Sequence, residues 1–317
     1  MSIWRKQGGL IGKQGGNDYP SSGLWDVTET YTDANVPPAA VGEFQYTTTG
    51  SHAFTVPVQC NSVSVVCIGG GGGGMYYNNN SSTFTYRMNG GGGGGLVYVP
   101  AISVTPGQTI TVFVGGGGSS GQYASDSTVG GNSSFSSLSA TGGNPGRYNA
   151  TITGGAGLAP FVGGVIRVGG SSQGAGSQTY GPAGGGGAAG YTSNGGTGWN
   201  RASGQPTYSG DGGGGGGWST SFYESYGGGG VGIFGAGSNG TQGGANVQAG
   251  SGSGGTNPTS NQVGGLYGGG GGGNSSVYSG TGGDGAQGAV RIIFGPGRAF
   301  PSTNTDLASS NGNVTIV

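Results

Sequence analysis

The chain has 317 residues and a formal net charge of −1; 87 residues are Gly and only 6% are charged. Collagen is excluded, because Gly falls in unbroken runs rather than at every third position and only 13 residues are Pro. A wholly disordered chain is disfavoured by the low charge and by 16 Tyr, 10 Phe and 4 Trp, and a nucleic-acid partner by only nine, scattered, Lys and Arg.

In chain order, residues 1–40 read as a separate N-terminal arm. This region is richer in charge than the rest, carries Trp4 and Trp25 as candidate anchors, and closes on the stiff connector Val36-Pro37-Pro38. Glu43 is grouped with the acidic residues of this end. The opening MSIWRKQGG lacks the apolar core of a secretory signal, and no stretch reaches eighteen apolar residues, so neither a signal peptide nor membrane insertion is expected.

From Phe44 to Val114 the pattern is that of strands. Ser62 to Ile68 places Val63, Val65 and Cys67 on one face and Val66 and Ile68 on the other, and Thr109 to Val114 puts Ile110, Val112 and Val114 on one face after a Pro106-Gly107 turn. Cys60 and Cys67 would lie about 23 Å apart on an extended chain, too far for a disulfide, which makes Cys67 a free, buried thiol.

Between 116 and 285 the chain is mainly Gly and loops. Counting those nearer the start, the Gly runs are 69–74, 90–95, 115–118, 184–187, 212–217, 227–230 and 268–273. A left-handed threefold helix rises about 3.1 Å per residue and makes no internal hydrogen bonds, so such runs must pair with one another. Uninterrupted Gly lets their axes approach closely, and a non-Gly residue is expected to break the lattice.

The intervals between runs carry Tyr76, Tyr77, Phe84 and Tyr86, then Tyr191 and Trp199, then Trp218, Phe222, Tyr223 and Tyr226. Aromatics mixed with Ser, Asn and Gly have the composition of antibody paratopes, which suggests a receptor-binding surface. The same aromatics could instead cap the lattice ends. Beyond the short apolar Val165–Val168, the strand Ala289–Phe294 is expected to close a sheet begun before Val114. Residues 41–296 thus form one domain, and 297–317 a C-terminal tail.

Catalytic and cofactor signatures are thin. G-x-G-x-x-G matches are expected by chance at this Gly content, and neither Lys has P-loop spacing. His52 is the only histidine, without a nucleophile-elbow context for a Ser-His-Asp triad. Asp211 and Glu224 flank a Gly run and an aromatic loop and read as hydrogen-bonding groups for a saccharide rather than as a hydrolytic pair. Two Cys and one His leave no Cys/His zinc site. No cofactor or metal is expected, and the chain reads as a non-enzyme.

The order SVSVVCIGGG, GGLVYVP, VTPGQTITVFVGGG and GAVRIIFG resembles the Gly-rich domain of bacteriophage tail-fibre and related virion proteins over residues 40–305. Gly23-Leu24-Trp25-Asp26 is similar to a short motif near the start of such proteins, and the segment from Gly295 to Thr305 to segments of marine-phage structural proteins. The resemblance implies an all-β fold, a jelly-roll-like β-sandwich whose long Gly-rich insertions pack as a polyglycine II bundle. It also implies variable loops that contact receptors, as in the distal adhesins of T-even-like phages. This chain departs from those in its strong strand framework and short arm. An animal receptor tyrosine kinase ectodomain has a comparable layout, but the missing signal peptide and disulfides weigh against it.

The function expected is a virion tail-fibre-type adhesin, made in the host cytoplasm, that binds a saccharide or outer-membrane receptor on a bacterial host. The arm would join other virion proteins, in a trimer or as a monomeric cap. A purely structural virion part is the alternative, and a depolymerase the third reading.

Overall fold

The computed structural model describes residues 40–76, 89–121, 127–147, 152–172, 182–199, 213–217, 225–243, 248–258, 262–274, 282–302 and 313–316. The chain divides into two compact units, Met1–Ala39 and Ala40–Val317. The first, with Trp4 and Trp25, lies outside the described residues.

The second unit is all-β, with two sheets stacked as a sandwich. The elements are β1 (Gly42–Tyr46), β2 (Gly50–Thr55), β3 (Ser62–Ile68), β4 (Leu96–Ser103), β5 (Thr109–Val114), β6 (Ser133–Phe135), β7 (Leu138–Ala140), β8 (Gly157–Leu158), β9 (Val165–Arg167), β10 (Ala289–Phe294) and β11 (Asn313–Ile316). One sheet has six strands in the order β11-β1-β10-β3-β4-β9, and the other five in the order β2-β5-β6-β7-β8. Ala289–Phe294 joins a sheet begun before Val114, as expected: β10 runs antiparallel to β3, with Ile292 opposite Val65, and antiparallel to β1 on its other side.

Burial explains the strand sequences. The six-stranded sheet is covered on both faces, which is why SVSVVCI, LVYV and AVRIIF are near-continuous apolar runs. Val63, Val65 and Cys67 face Phe54, Val112, Phe135 and Leu138 of the other sheet. On the opposite face, Val66, Ile68, Leu96 and Ile293 pack against Ala188, Ala189, Tyr191, Val231 and Phe300. The second sheet has an outer face in solvent, so β5 alternates exposed and buried along TITVFV. Cys60 and Cys67 are both free and buried, and burial pushes both thiols up.

Connections at the two ends of the sandwich differ in kind. At one end β2–β3, β4–β5, β6–β7 and β8–β9 are joined by short turns. At the other, β3–β4, β5–β6, β7–β8 and β9–β10 are joined by glycine excursions over 69–95, 115–132, 141–156 and 168–288. Each excursion leaves a strand as one extended rod and returns as another.

The rods form a lattice with a three-residue repeat. In the rod that follows β3, Gly69, Gly72 and Met75 donate to the carbonyls of Gly95, Gly92 and Asn89; Gly70 and Gly73 donate to Gly131 and Thr128; Gly71 and Gly74 donate to Ala286 and Gly283. Its carbonyls accept in the same rotation, from Gly143 and Gly146, from Gly118 and Gly121, and from Gly271 and Asn274. The rod therefore has six neighbours, three to which it donates and three from which it accepts. This is the hydrogen bonding of packed polyglycine II, in which every buried N–H and C=O finds a partner on another rod. The rod 184–189 is surrounded in the same way.

Two sequence expectations are corrected here. First, rods are not confined to the Gly runs: 127–131, 152–156, 195–199 and 249–252 carry lattice hydrogen bonds too, with Ser, Thr and apolar residues interspersed. Ala188 and Ala189 continue a rod, donating to Gly229 and Gly94, and their methyls are buried on the six-stranded sheet. A Cβ breaks the lattice only where it would point at another backbone. Second, residues 297–317 are not simply a tail. Phe300 is buried against that same sheet, its N–H donates to Ser64 Oγ at 2.9 Å, and β11 pairs parallel with β1.

Candidate recognition surface

The hydrogen-bond register fixes which parts of the chain share the lattice end farthest from the strands. Tyr76 N–H donates to Gly121, and Tyr76 also bridges Asn274 in parallel. Met75 donates to Asn89, and Ser127 Oγ donates to the Gly146 carbonyl. Ser172 bridges Ile152 on one side and Gly198 on the other. Trp199 N–H donates to Gly217 and its carbonyl accepts from Gly184, while Gly185 donates to Tyr226. Ser225 Oγ lies 2.9 Å from the Ala183 carbonyl and 2.8 Å from that of Gly273. These residues form one rim. The chain between 76 and 89, 121 and 127, 147 and 152, 172 and 182, 217 and 225, and 274 and 282 begins and ends on it.

The described aromatics on this rim are more covered than the sequence suggests. Tyr76 is 6% exposed and Trp199 8% exposed, so both side chains belong to the end of the lattice and not to a contact surface. Tyr226 is half-buried. Tyr191 is removed from the surface altogether. It lies at the opposite end of its rod, 1% exposed, stacked on Phe300 at 6.0 Å and beside Tyr98 at 5.9 Å, with its hydroxyl donating to the Gly232 carbonyl at 3.1 Å. Burial pushes its phenol up. The residue sits in a turn of small residues, which is why it reads as a loop tip, but Ala188 and Ala189 before it carry the chain down onto the sheet. Tyr77, Phe84, Tyr86, Trp218, Phe222 and Tyr223, with Asp211 and Glu224, lie outside the described residues.

His52 lies on β2 with its Nε2 2.8 Å from the Thr48 carbonyl and its ring 5.3 Å from that of Tyr46. Tyr46 is buried and its phenol is pushed up to about 12. Among the described residues no group of three or more His, Cys, Asp or Glu could hold a metal ion, and no helix is long and apolar enough to cross a membrane.

A buried charge cluster among the described residues went unread in the sequence. Glu43 on β1 accepts from Arg291 Nη2 on β10 and from Arg298 Nη2, both at 2.6 Å. Arg291 also donates to the Ile233 carbonyl and lies 4.4 Å from the centroid of the Phe234 ring. Burial alone would raise the Glu43 carboxyl, but hydrogen bonds from Gln45, Arg291 and Arg298 and the charge of Arg291 outweigh it and hold the pKa below its ordinary value. Glu43 is thus a sheet residue. The signal available was the alternation Glu43-Phe44-Gln45-Tyr46, which already reads as strand. The cluster ties the first strand, the last long strand and the base of the lattice together, a structural duty rather than a chemical one.

The strand-and-rod order from the β1–β2 turn to the end of β10 is also where a known family is recognised: the glycine-rich domain model matches residues 47–295. The chain belongs to the glycine-rich domain family. No curated protein matches it. The matched span takes in all four excursions, so the glycine-rich domain is the sandwich and its lattice together. The rim therefore belongs to the domain and is no appendage to it.

Proposed function

We propose that this glycine-rich domain protein is a non-enzymatic, tail-fibre-type adhesin of a bacteriophage virion, made in the host cytoplasm and binding a saccharide or outer-membrane receptor on a bacterial surface. The observation that carries this reading is the asymmetry of the lattice. Its strand end is closed by a two-sided apolar core, whereas the aromatic-, Asn- and Ser-rich segments begin and end on the far rim. A rigid scaffold that presents variable-looking segments at one end is how binding loops are displayed on other folds. The contact residues proposed are Tyr77, Phe84, Tyr86, Trp218, Phe222 and Tyr223, with Tyr226 at the margin. The arm, residues 1–40 with Trp4 and Trp25, is proposed to join the other virion proteins.

The test is incubation of the purified full chain with envelopes from a panel of bacteria. Retention without release of oligosaccharide is the expected result. Failure to bind any envelope favours a purely structural virion part, and released oligosaccharide a depolymerase. In the particle, Trp218→Ala with Tyr223→Ala is expected to leave melting and incorporation intact and abolish adsorption, while deletion of residues 1–30 leaves folding intact and abolishes incorporation.

A further inference from the structure

One flank of the sandwich ends in two open strand edges. β9 closes the six-stranded sheet and pairs only with β4, β8 closes the five-stranded sheet and pairs only with β7, and the two strands lie side by side. The lattice takes over at Val168, whose N–H donates to Asn194 Oδ1 at 2.9 Å and whose carbonyl accepts from Gly195. Over Val165–Arg167 the main chain makes no hydrogen bond beyond β4. An open edge is a template for another strand, and proteins commonly blunt it with charged side chains, especially Lys. Here the flank is apolar instead: Val162 is 97% exposed and Leu158 59%, with Ile166 and Val168 also in solvent.

The single charged residue between 157 and 168 is Arg167. In register it stands opposite Leu96, on the face of the sheet that carries Tyr98, while Ile166, opposite Val97, belongs to the other face. Burial pushes the Tyr98 phenol up and the charge of Arg167 acts against it, which places the guanidinium near that phenol. Arg167 is half-buried, and its Nε is shut off from solvent without a hydrogen-bond partner. Arg291 and Arg298 of the same domain, by contrast, both meet Glu43. A desolvated guanidinium without an acceptor is costly, and a carboxylate is the group whose two oxygens match its fork.

We infer that this flank docks an extended segment of a partner protein, added to the six-stranded sheet beside β9, with an acidic residue opposite Arg167 and apolar residues on either side of it. Main-chain pairing supplies the alignment, and alternate side chains supply the choice of partner. Because side chains alternate along a strand, the neighbours of the acidic residue fall on the face of Ile166, where they meet an exposed aliphatic side chain. Only three residues of β9 are open, so the backbone pairing is short and the Arg167 contact decides which segment binds. A second copy presenting the same edge would bring another Arg167 and no carboxylate, since residues 157–168 contain neither Asp nor Glu. This contact is independent of whatever the rim binds.

The experiment titrates the full chain against fluorescent synthetic peptides of alternating valine and threonine whose central threonine is replaced by glutamate, glutamine or lysine. The glutamate peptide is expected to bind roughly tenfold tighter than the other two, with an affinity that falls as salt is added. Hydrogen exchange should slow at Val165–Arg167 in its complex. Arg167→Gln should remove the preference and Arg167→Glu should turn it toward the lysine peptide, both at the parental melting temperature. Equal binding of the three peptides, binding of none, or a glutamate preference that survives Arg167→Gln overturns the inference. So does a chain that sediments as a dimer by itself and as a monomer when Ile166→Asp is introduced, because the edge then belongs to a second copy.

Discussion

The sandwich and the lattice are stabilised by opposite means. Between the sheets, side chains such as Phe54, Val65, Phe135 and Ile292 are wholly buried, and stability follows from apolar area removed from water. In the lattice, buried groups are mostly backbone, and cohesion comes from N–H···O=C pairs between rods packed too closely for a side chain. Removing atoms therefore weakens the first region, and adding atoms weakens the second. The regions meet where Ala188, Ala189 and Tyr191 lie on the six-stranded sheet, so neither is an independent layer.

The severest way to break this arrangement is to remove a strand that both regions share. Deleting residues 286–317 takes away β10, which lies between β1 and β3, together with the rod end that receives Gly71. The truncated chain should show no cooperative thermal transition; a soluble, cooperatively melting product would mean that the earlier strands suffice. Next comes an added side chain inside the lattice. A Cβ at Gly214 would overlap the Gly229 carbonyl, with Ala188 N close by, so Gly214→Val should cost about 5 kcal/mol or more in urea denaturation. Unfolding at the parental urea midpoint would show that the rods yield.

A smaller effect is expected at the charge cluster. Glu43→Gln leaves two guanidinium groups buried without their counter-charge and should destabilise by about 3 kcal/mol. Because the native Glu43 carboxyl is held below its ordinary value of 4.5, its contribution is present above that pH and is lost as pH falls through the lower native value. The E43Q chain should accordingly have a flatter acid limb in its stability profile than the parent. The smallest effect sharpens the contrast within the lattice itself. A Cβ at Gly116 would meet only Thr49 Cγ2, at 3.8 Å, so Gly116→Ala should change stability by less than about 1 kcal/mol. A large loss there would show that Gly is required on the lattice perimeter as well as inside it.

Much of this was legible because strand periodicity is a local property. The alternating faces of Ser62–Ile68 and the apolar run Ala289–Phe294 gave two strands and the expectation that the second closes a sheet begun before Val114; that Ser62–Ile68 is its direct partner came from the structure. The unbroken runs announced packed rods. What escaped were rods written in mixed sequence, such as 127–131 and 195–199, where a position facing outward tolerates Thr or Val and erases the run. The surface assigned to Tyr191 and Trp199 failed for a related reason: aromatic residues among Gly and Ser look the same whether they end a lattice or face water.

By itself, the amino-acid order determined where the strongest strands lie, that the Gly runs must pair their backbone groups with one another, and that charged residues are few. Those conclusions need only residue chemistry and short-range periodicity. Which rods are neighbours, which of their positions admit a side chain, and that Glu43 meets Arg291, far away in the chain, were decided only by the tertiary structure. Each of these depends on hydrogen bonds between residues far apart in the chain. A run of glycines carries no side-chain code to say which other run it joins.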